Sequence, residues 1–143
     1  YYKYFNVDID ALQKHLSWGI KESTHTIETF IRAAVVNNPT GKQNSFAAHG
    51  IPQLILVEVS KSKIPMSYAN AFLKPVDEID LMQGSAIALA NYVNNVATAF
   101  SPEDMNRVLL ALGSASVDIN KATKTNTLDS LVHTVVELME KTA

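Results

Sequence analysis

A short polar stretch at residues 40–45 carries the side-chain types that could bind an anionic polymer. Lys42 supplies a cation, Gln43 and Asn44 supply amides, and Ser45 supplies a hydroxyl. Such groups donate hydrogen bonds to the phosphates and 2′-hydroxyls of RNA. The stretch, with His49 close behind, therefore indicates a binding loop for RNA or a partner protein. The alternative is a hydrogen-bonded structural connector.

Two catalytic interpretations of this loop are poorly supported. A phosphate-binding P-loop needs a glycine ahead of Gly-Lys-Ser/Thr and a preceding strand, whereas Gln43 stands in the Ser/Thr position and a helical pattern precedes the loop. Ser45 and His49 could form part of a hydrolytic triad, but their nearest acidic residues are remote in sequence. We therefore predict that the chain is not an enzyme.

The histidines and acidic residues do not follow metal-binding patterns. The four histidines lack the His-Glu-x-x-His spacing of zinc sites. Asp77, Glu78 and Asp80 are too few for a calcium loop, which needs oxygen ligands over about 12 residues. We expect a solvated acidic turn there and no metal or cofactor.

Composition restricts the class of protein. The chain has 143 residues, of which 47% are hydrophobic and 18% charged, as is typical of a single globular domain. A formal net charge of -2 gives no overall basic field, so a nucleic-acid site must be local. The absence of cysteine is compatible with a reducing compartment, and no apolar run reaches the length of a membrane span. We expect a soluble cytoplasmic protein with no membrane partner.

The hydrophobic pattern predicts an α+β fold, with the order β-α-α-β-α-α-β-α. Residues 1–7 are aromatic and β-branched, which predicts a first strand that missing upstream sequence would complete. A second strand at 54–59 is apolar on both faces and is expected at the centre of the sheet. A third is predicted at 107–112, followed by a mobile polar segment at 114–126.

Capping residues locate the helices around this sheet. Asp8 precedes a short helix at 9–16, and Thr127 precedes the last helix, which begins at Leu128. The polar loop follows a helix that starts at Ser23 or Thr24 and ends at residue 37. Within the segment 67–76, a short helix is predicted that ends before Pro75. An alanine-rich helix is predicted at 85–100.

Several segments together resemble the CasC family, the backbone subunits of type I-E CRISPR Cascade. The resemblance is carried by Tyr2 to Tyr4, Asp10-Ala11-Leu12, the loop from Pro39 to Ala48, Leu56 to Val59, and Pro65 to Val76. Their order and spacing match over residues 1 to about 76 and more loosely beyond.

The resemblance implies one domain, the C-terminal part of a longer subunit with an RRM-like (ferredoxin-like) palm. Such a subunit polymerises along guide RNA without catalysis, as the backbone of an antiviral surveillance complex. The implied partners are the guide RNA, the target DNA paired to it, other copies of the subunit and other Cascade subunits. The implied contacts to RNA or to a neighbouring subunit are Thr40, Gly41, Lys42, Gln43, Asn44, Ser45, His49, Ser67 and Asn70.

One departure from the family pattern and one alternative function remain. Some relatives carry lysines after the Ala-Asn-Ala-Phe segment, whereas this chain has Asp77 and Glu78. The acidic turn disfavours a nucleic-acid contact at that point. The alternative function is an interaction module that docks only on sister subunits and does not touch nucleic acid.

Overall fold

A computed structural model describes residues 2–37, 50–76, 79–100 and 104–142. Its sheet has three strands in the order β1 (Leu54–Val59), β2 (Asn106–Ala111) and β3 (Ala122–Thr125). β1 runs antiparallel to β2, and β2 runs parallel to β3. The α+β class predicted from the sequence is therefore confirmed, with a mixed sheet.

Four α-helices lie within the described residues. They are α1 (Ile9–Leu16), α2 (Ile20–Val36), α3 (Leu81–Phe100) and α4 (Leu128–Thr142). A first 3-10 helix (Ala69–Phe72) and a second (Gly113–Ala115) connect them to the strands. None of the helices described is long and apolar enough to cross a membrane.

The sheet lies between two layers because successive strand residues point to opposite faces. Val108 and Leu110 of β2 pack in one hydrophobic cluster with side chains of α2 and α4. Leu109, between them, packs in a second cluster with α3 and the first 3-10 helix. Both faces of the sheet are thus covered, which explains why β1 is apolar on both sides.

The position of β1 corrects one expectation. β1 is at one end of the three-stranded order, and all six of its residues are half-buried. β2 is the central strand, and its Val108 and Leu109 are almost fully buried. An apolar pattern on both faces of a strand indicates that both faces of the sheet are covered by other elements. It does not require a neighbouring strand on each side.

The caps of α1 and α4 agree with the sequence. The Asp8 carboxylate accepts a hydrogen bond of 3.0 Å from the backbone of Ala11. The Thr127 hydroxyl accepts one of 3.0 Å from the backbone of Ser130. Each cap satisfies an amide that the first helical turn leaves without a partner.

α2 and α3 both begin about four residues earlier than predicted. At the start of α2, the Glu22 carboxylate accepts a hydrogen bond of 3.1 Å from the Gly19 amide. Ser23 and Thr24, which were predicted to start the helix, lie within its first turns and are buried from solvent. At the start of α3, Asp80 accepts bonds of 3.0 Å from the amides of residues 82 and 83. Acidic residues therefore cap both helices, where hydroxyl residues were expected.

The predicted strand at the N-terminus is wrong, since residues 2–7 form neither helix nor strand. Their aromatic side chains pack on neighbouring elements. The ring of Phe5 meets that of Phe30 edge to face, with centroids 5.3 Å apart. The ring of Tyr2 lies 5.6 Å from that of Phe72. The aromatic residues that suggested a strand are explained by these contacts.

The segment at 114–126, predicted to be mobile, is part of the fold. Ala115 and Ile119 are buried, and β3 pairs with β2 from Ala122 to Thr125. The predicted helix at 67–76 is reduced to the first 3-10 helix, which ends at Phe72.

Candidate nucleic-acid interface

Most of the residues predicted to bind RNA lie between residues 38 and 49, outside the described residues. They are Thr40, Gly41, Lys42, Gln43, Asn44, Ser45 and His49. Ser67 and Asn70 are described, and so are the two chain segments from which the loop departs. The described part of the candidate interface therefore consists of those two segments and the first 3-10 helix.

The segment before the loop is the C-terminal end of α2, and Lys3 binds it. The Lys3 ammonium donates hydrogen bonds of 3.1 Å to the carbonyl of Ala34 and 2.6 Å to the carbonyl of Asn37. A cation stabilises the C-terminal end of a helix, where carbonyls are left without partners. The predicted loop thus leaves a helix end that is fixed from a distant part of the sequence.

The segment after the loop joins the sheet directly. The carbonyl of Gln53, just before β1, accepts a hydrogen bond of 2.8 Å from the amide of Leu112, just after β2. This bond extends the antiparallel pairing of β1 and β2 by one residue. The described residues Asn37 and Gln53, which lie on either side of the loop, are consequently both hydrogen-bonded to the rest of the protein.

Ser67 and Asn70 are exposed on either side of Tyr68, at the first 3-10 helix. The Ser67 hydroxyl accepts a long hydrogen bond of 3.4 Å from the amide of Ala69. The side-chain amide of Asn70 donates one of 3.5 Å to the hydroxyl of Tyr92 on α3. Both side chains can therefore still offer polar groups to a ligand in solvent.

Tyr68 itself is only 4% exposed and ends in a buried polar cluster. Its hydroxyl donates a hydrogen bond of 2.7 Å to Oε1 of Glu58. The same oxygen accepts one of 2.7 Å from Nε of Arg107, whose side chain is 2% exposed. Glu58 and Arg107 are directly opposite each other on β1 and β2. The cluster therefore joins the 3-10 helix to the sheet.

The Arg107 guanidinium is incompletely satisfied within the described residues. Its Nη1 donates a hydrogen bond of 3.4 Å to the carbonyl of Asn120, while its Nη2 is buried without a hydrogen-bond partner there. A buried guanidinium of this kind depends strongly on a neighbouring carboxylate, which here is that of Glu58.

Burial and the neighbouring Glu58 carboxylate raise the pKa of the Tyr68 hydroxyl well above its ordinary value. The folded protein keeps this proton at a pH where the unfolded chain, with a tyrosine pKa of 10.0, releases it. The contribution of Tyr68 to stability is thus complete below about pH 10 and is lost as the pH rises further. We expect alkaline unfolding to be steeper in the native protein than in Tyr68→Phe, measured by circular dichroism between pH 9 and 12. Equal pH dependence in both proteins would contradict this.

Residues 2 and 3 connect the two predicted groups of contact residues. The Tyr2 hydroxyl accepts a hydrogen bond of 3.0 Å from the amide of Tyr68, beside Ser67 and Asn70. Lys3, the next residue, binds the end of α2 from which the polar loop departs. Neighbouring residues therefore bind the turn that carries Ser67 and Asn70 and the helix end that precedes the 40–45 loop.

The contacts of Tyr2, Lys3, Glu58 and Arg107 were not found from the sequence. One signal was present, because Glu58 is the single charged residue in an otherwise apolar strand. A charge in such a position requires a partner. The partner itself could not be chosen, since it lies 49 residues away.

The fold is that of an α+β protein in which a mixed sheet lies between two layers of helices. The chain matches the family of CT1975-like proteins over residues 1–135, and it belongs to that family. None of the curated proteins compared with it matches.

Solved structures similar to this chain include two chains of CRISPR RNA-guided surveillance complexes. A chain of a "CRISPR RNA-guided surveillance complex, pre-nicking" is 23% identical, with a TM-score of 0.77 over 93% of this chain and 36% of that chain. A chain of a "CRISPR RNA-guided surveillance complex" is 24% identical, with a TM-score of 0.75 over 92% of this chain and 50% of that chain. This chain thus spans half or less of either one. Family and fold together confirm the resemblance to Cascade subunits stated from the sequence.

Proposed function

We propose that this chain is the C-terminal part of a non-catalytic backbone subunit that binds guide RNA in a Cascade surveillance complex. The observation that carries the proposal is the fold shared over 93% of the chain, at a TM-score of 0.77, with a chain of an RNA-guided complex. Membership of the CT1975-like family supports it. The chain forms one domain and completes its palm with further sequence of a longer cytoplasmic protein.

The proposed mechanism is retention of guide RNA through its sugar-phosphate chain. Lys42 pairs with a phosphate, while Gln43 and Asn44 donate to phosphate or 2′-hydroxyl groups. The rest of the 40–45 loop, with His49, Ser67 and Asn70, extends the contact to RNA or to the next copy of the subunit. The bases remain free to pair with target DNA, so that sequence is read by pairing and no side chain needs to read it.

The hydrogen bonds of the segments on either side of the loop support this proposal. α2 ends against the Lys3 ammonium, and the chain re-enters the sheet beside Leu112. Binding loops are commonly placed between rigid elements of a fold.

We test the phosphate contact with Lys42→Ala in the native protein, measuring guide-RNA affinity at several salt concentrations. Loss of one phosphate contact on single-stranded RNA is expected to make the plot of log affinity against log salt shallower by about 0.7. Lys14→Ala is the matched control because Lys14 is an exposed lysine on α1, and its slope should not change. An unchanged slope in Lys42→Ala would overturn the phosphate contact.

A second candidate function is docking on other protein subunits without contact to nucleic acid. Exposed apolar side chains after the first 3-10 helix favour it: Leu73 is 78% exposed, Leu81 is 61% exposed and Ile79 is fully exposed. Such residues are common where one protein packs on another. This function predicts that Lys42→Ala weakens binding to a partner subunit in the absence of RNA and leaves the salt slope unchanged.

A further inference from the structure

The first 3-10 helix has few interactions of its own. It is four residues long, and its backbone bonds are 3.0 Å from the Ala71 amide to the Tyr68 carbonyl and 3.4 Å from the Leu73 amide to the Asn70 carbonyl. Short 3-10 segments with long hydrogen bonds are weak by themselves. The position of this turn, and of the polar side chains on it, must therefore be set by contacts to the rest of the protein.

Tyr68 provides those contacts in three directions. Its hydroxyl reaches Glu58 at 2.7 Å, and its amide reaches the Tyr2 hydroxyl at 3.0 Å. Its ring meets the ring of Tyr92 at a centroid distance of 6.3 Å and an angle of 78°. Tyr92 in turn accepts the hydrogen bond from Asn70. Fixing Tyr68 therefore also fixes the surroundings of Asn70.

The acceptor for Tyr68 is itself rigidly placed. Glu58 lies opposite Arg107 in the sheet, and Arg107 donates to the carbonyl of Asn120 at 3.4 Å. The amide of Asn120 donates to Oδ1 of Asn94 on α3 at 2.8 Å. The Glu58 carboxylate thus accepts a hydrogen bond from Arg107 of β2, and Arg107 is linked through Asn120 to α3. Glu58 can therefore serve as a fixed reference point.

We propose that Glu58 is a positioning residue, which acts through the Tyr68 hydroxyl to hold Ser67 and Asn70 in the orientation that contacts RNA. Neither Glu58 nor Tyr68 needs to touch RNA for this role, since Tyr68 is 4% exposed and the Glu58 side chain is 16% exposed. The inference rests on the proposed function, since it assumes that Ser67 and Asn70 belong to the RNA-binding surface.

A double-mutant cycle between Tyr68→Phe and Asn70→Ala tests the inference. The affinity for guide RNA is measured for each variant of the full native chain. Tyr68→Phe removes one hydroxyl and retains the packed ring. We expect Asn70→Ala to weaken RNA affinity about fivefold, the size of one lost hydrogen bond, and Tyr68→Phe to weaken it at least as much because it misplaces both Ser67 and Asn70. The double variant should be no weaker than Tyr68→Phe alone, because a misplaced Asn70 has no contact left to lose. Glu58→Met, which removes the acceptor oxygens and keeps the length of the side chain, should reproduce the effect of Tyr68→Phe.

The control is Tyr4→Phe, which deletes a hydroxyl from an exposed tyrosine in the N-terminal segment and should leave affinity unchanged. A structural role alone would lower the unfolding midpoint of Tyr68→Phe but would leave the two effects on affinity additive. Additive effects, or unchanged affinity in Tyr68→Phe, would overturn the positioning role.

The outcomes also separate this inference from the proposed function. If Ser67→Ala and Asn70→Ala bind RNA normally while Lys42→Ala has a shallower salt slope, the positioning role is wrong and the proposed function stands. If Lys42→Ala also leaves the slope unchanged, the proposed phosphate contact fails as well.

Discussion

Replacing Glu58 with alanine is expected to lower the free energy of unfolding by about 3–5 kcal/mol, the cost of breaking a buried ion pair from one side. The Arg107 side chain is 2% exposed and has Glu58 as its carboxylate partner at 2.7 Å. Without that carboxylate, a guanidinium whose Nη2 already has no hydrogen-bond partner among the described residues loses the charge that neutralises it. Urea denaturation followed by circular dichroism measures the loss.

Glu28→Ala is the matched control for this prediction. Glu28 also pairs with an arginine, Arg32, at 3.1 Å, but both side chains are well exposed to solvent. Pairs of this kind contribute at most about 1 kcal/mol. If the two variants lost similar amounts of stability, the buried cluster would not have the importance given to it here.

Replacing Leu131 with alanine is expected to lower the free energy of unfolding by about 2–5 kcal/mol. Leu131 is 0% exposed and lies in the cluster that joins α4 to α2 and to β2. Truncation removes buried apolar surface and leaves a cavity that surrounding side chains fill only in part. Thermal and urea unfolding of the variant measure the cost.

Leu73→Ala provides the comparison for Leu131→Ala, because Leu73 is largely exposed beyond the first 3-10 helix. In the absence of RNA and partner subunits, its stability should change by less than about 0.5 kcal/mol. A cost for Leu131→Ala no greater than that of Leu73→Ala would contradict the assignment of the core.

Elements that depend on residues close together in the sequence were predicted correctly. Asp8 and Thr127 are adjacent to the helices they cap, so the starts of α1 and α4 could be found. The apolar run at 54–59 coincides with β1. β3 was missed because Ala122 to Thr125 lacks an apolar run, and its pairing with β2 is a long-range contact.

The candidate site divides in the same way. The polar composition of residues 40–45 is a local signal and led to the proposed loop. The contacts that hold its surroundings, from Lys3 to α2 and from Tyr2 to Tyr68, join residues 31 to 66 positions apart. The aromatic pattern of residues 1–7 predicted a strand, since nothing in the local sequence distinguishes pairing with a sheet from packing on α2.

The most direct test of the central claim is the salt dependence of the affinity between the native protein and guide RNA. We expect a linear fall of log affinity with log salt, by about 0.7 for each phosphate contacted, with the same slope for an RNA of unrelated sequence. A flat salt dependence, or affinity that changes with the RNA sequence, would contradict the claim that this chain holds guide RNA through its backbone.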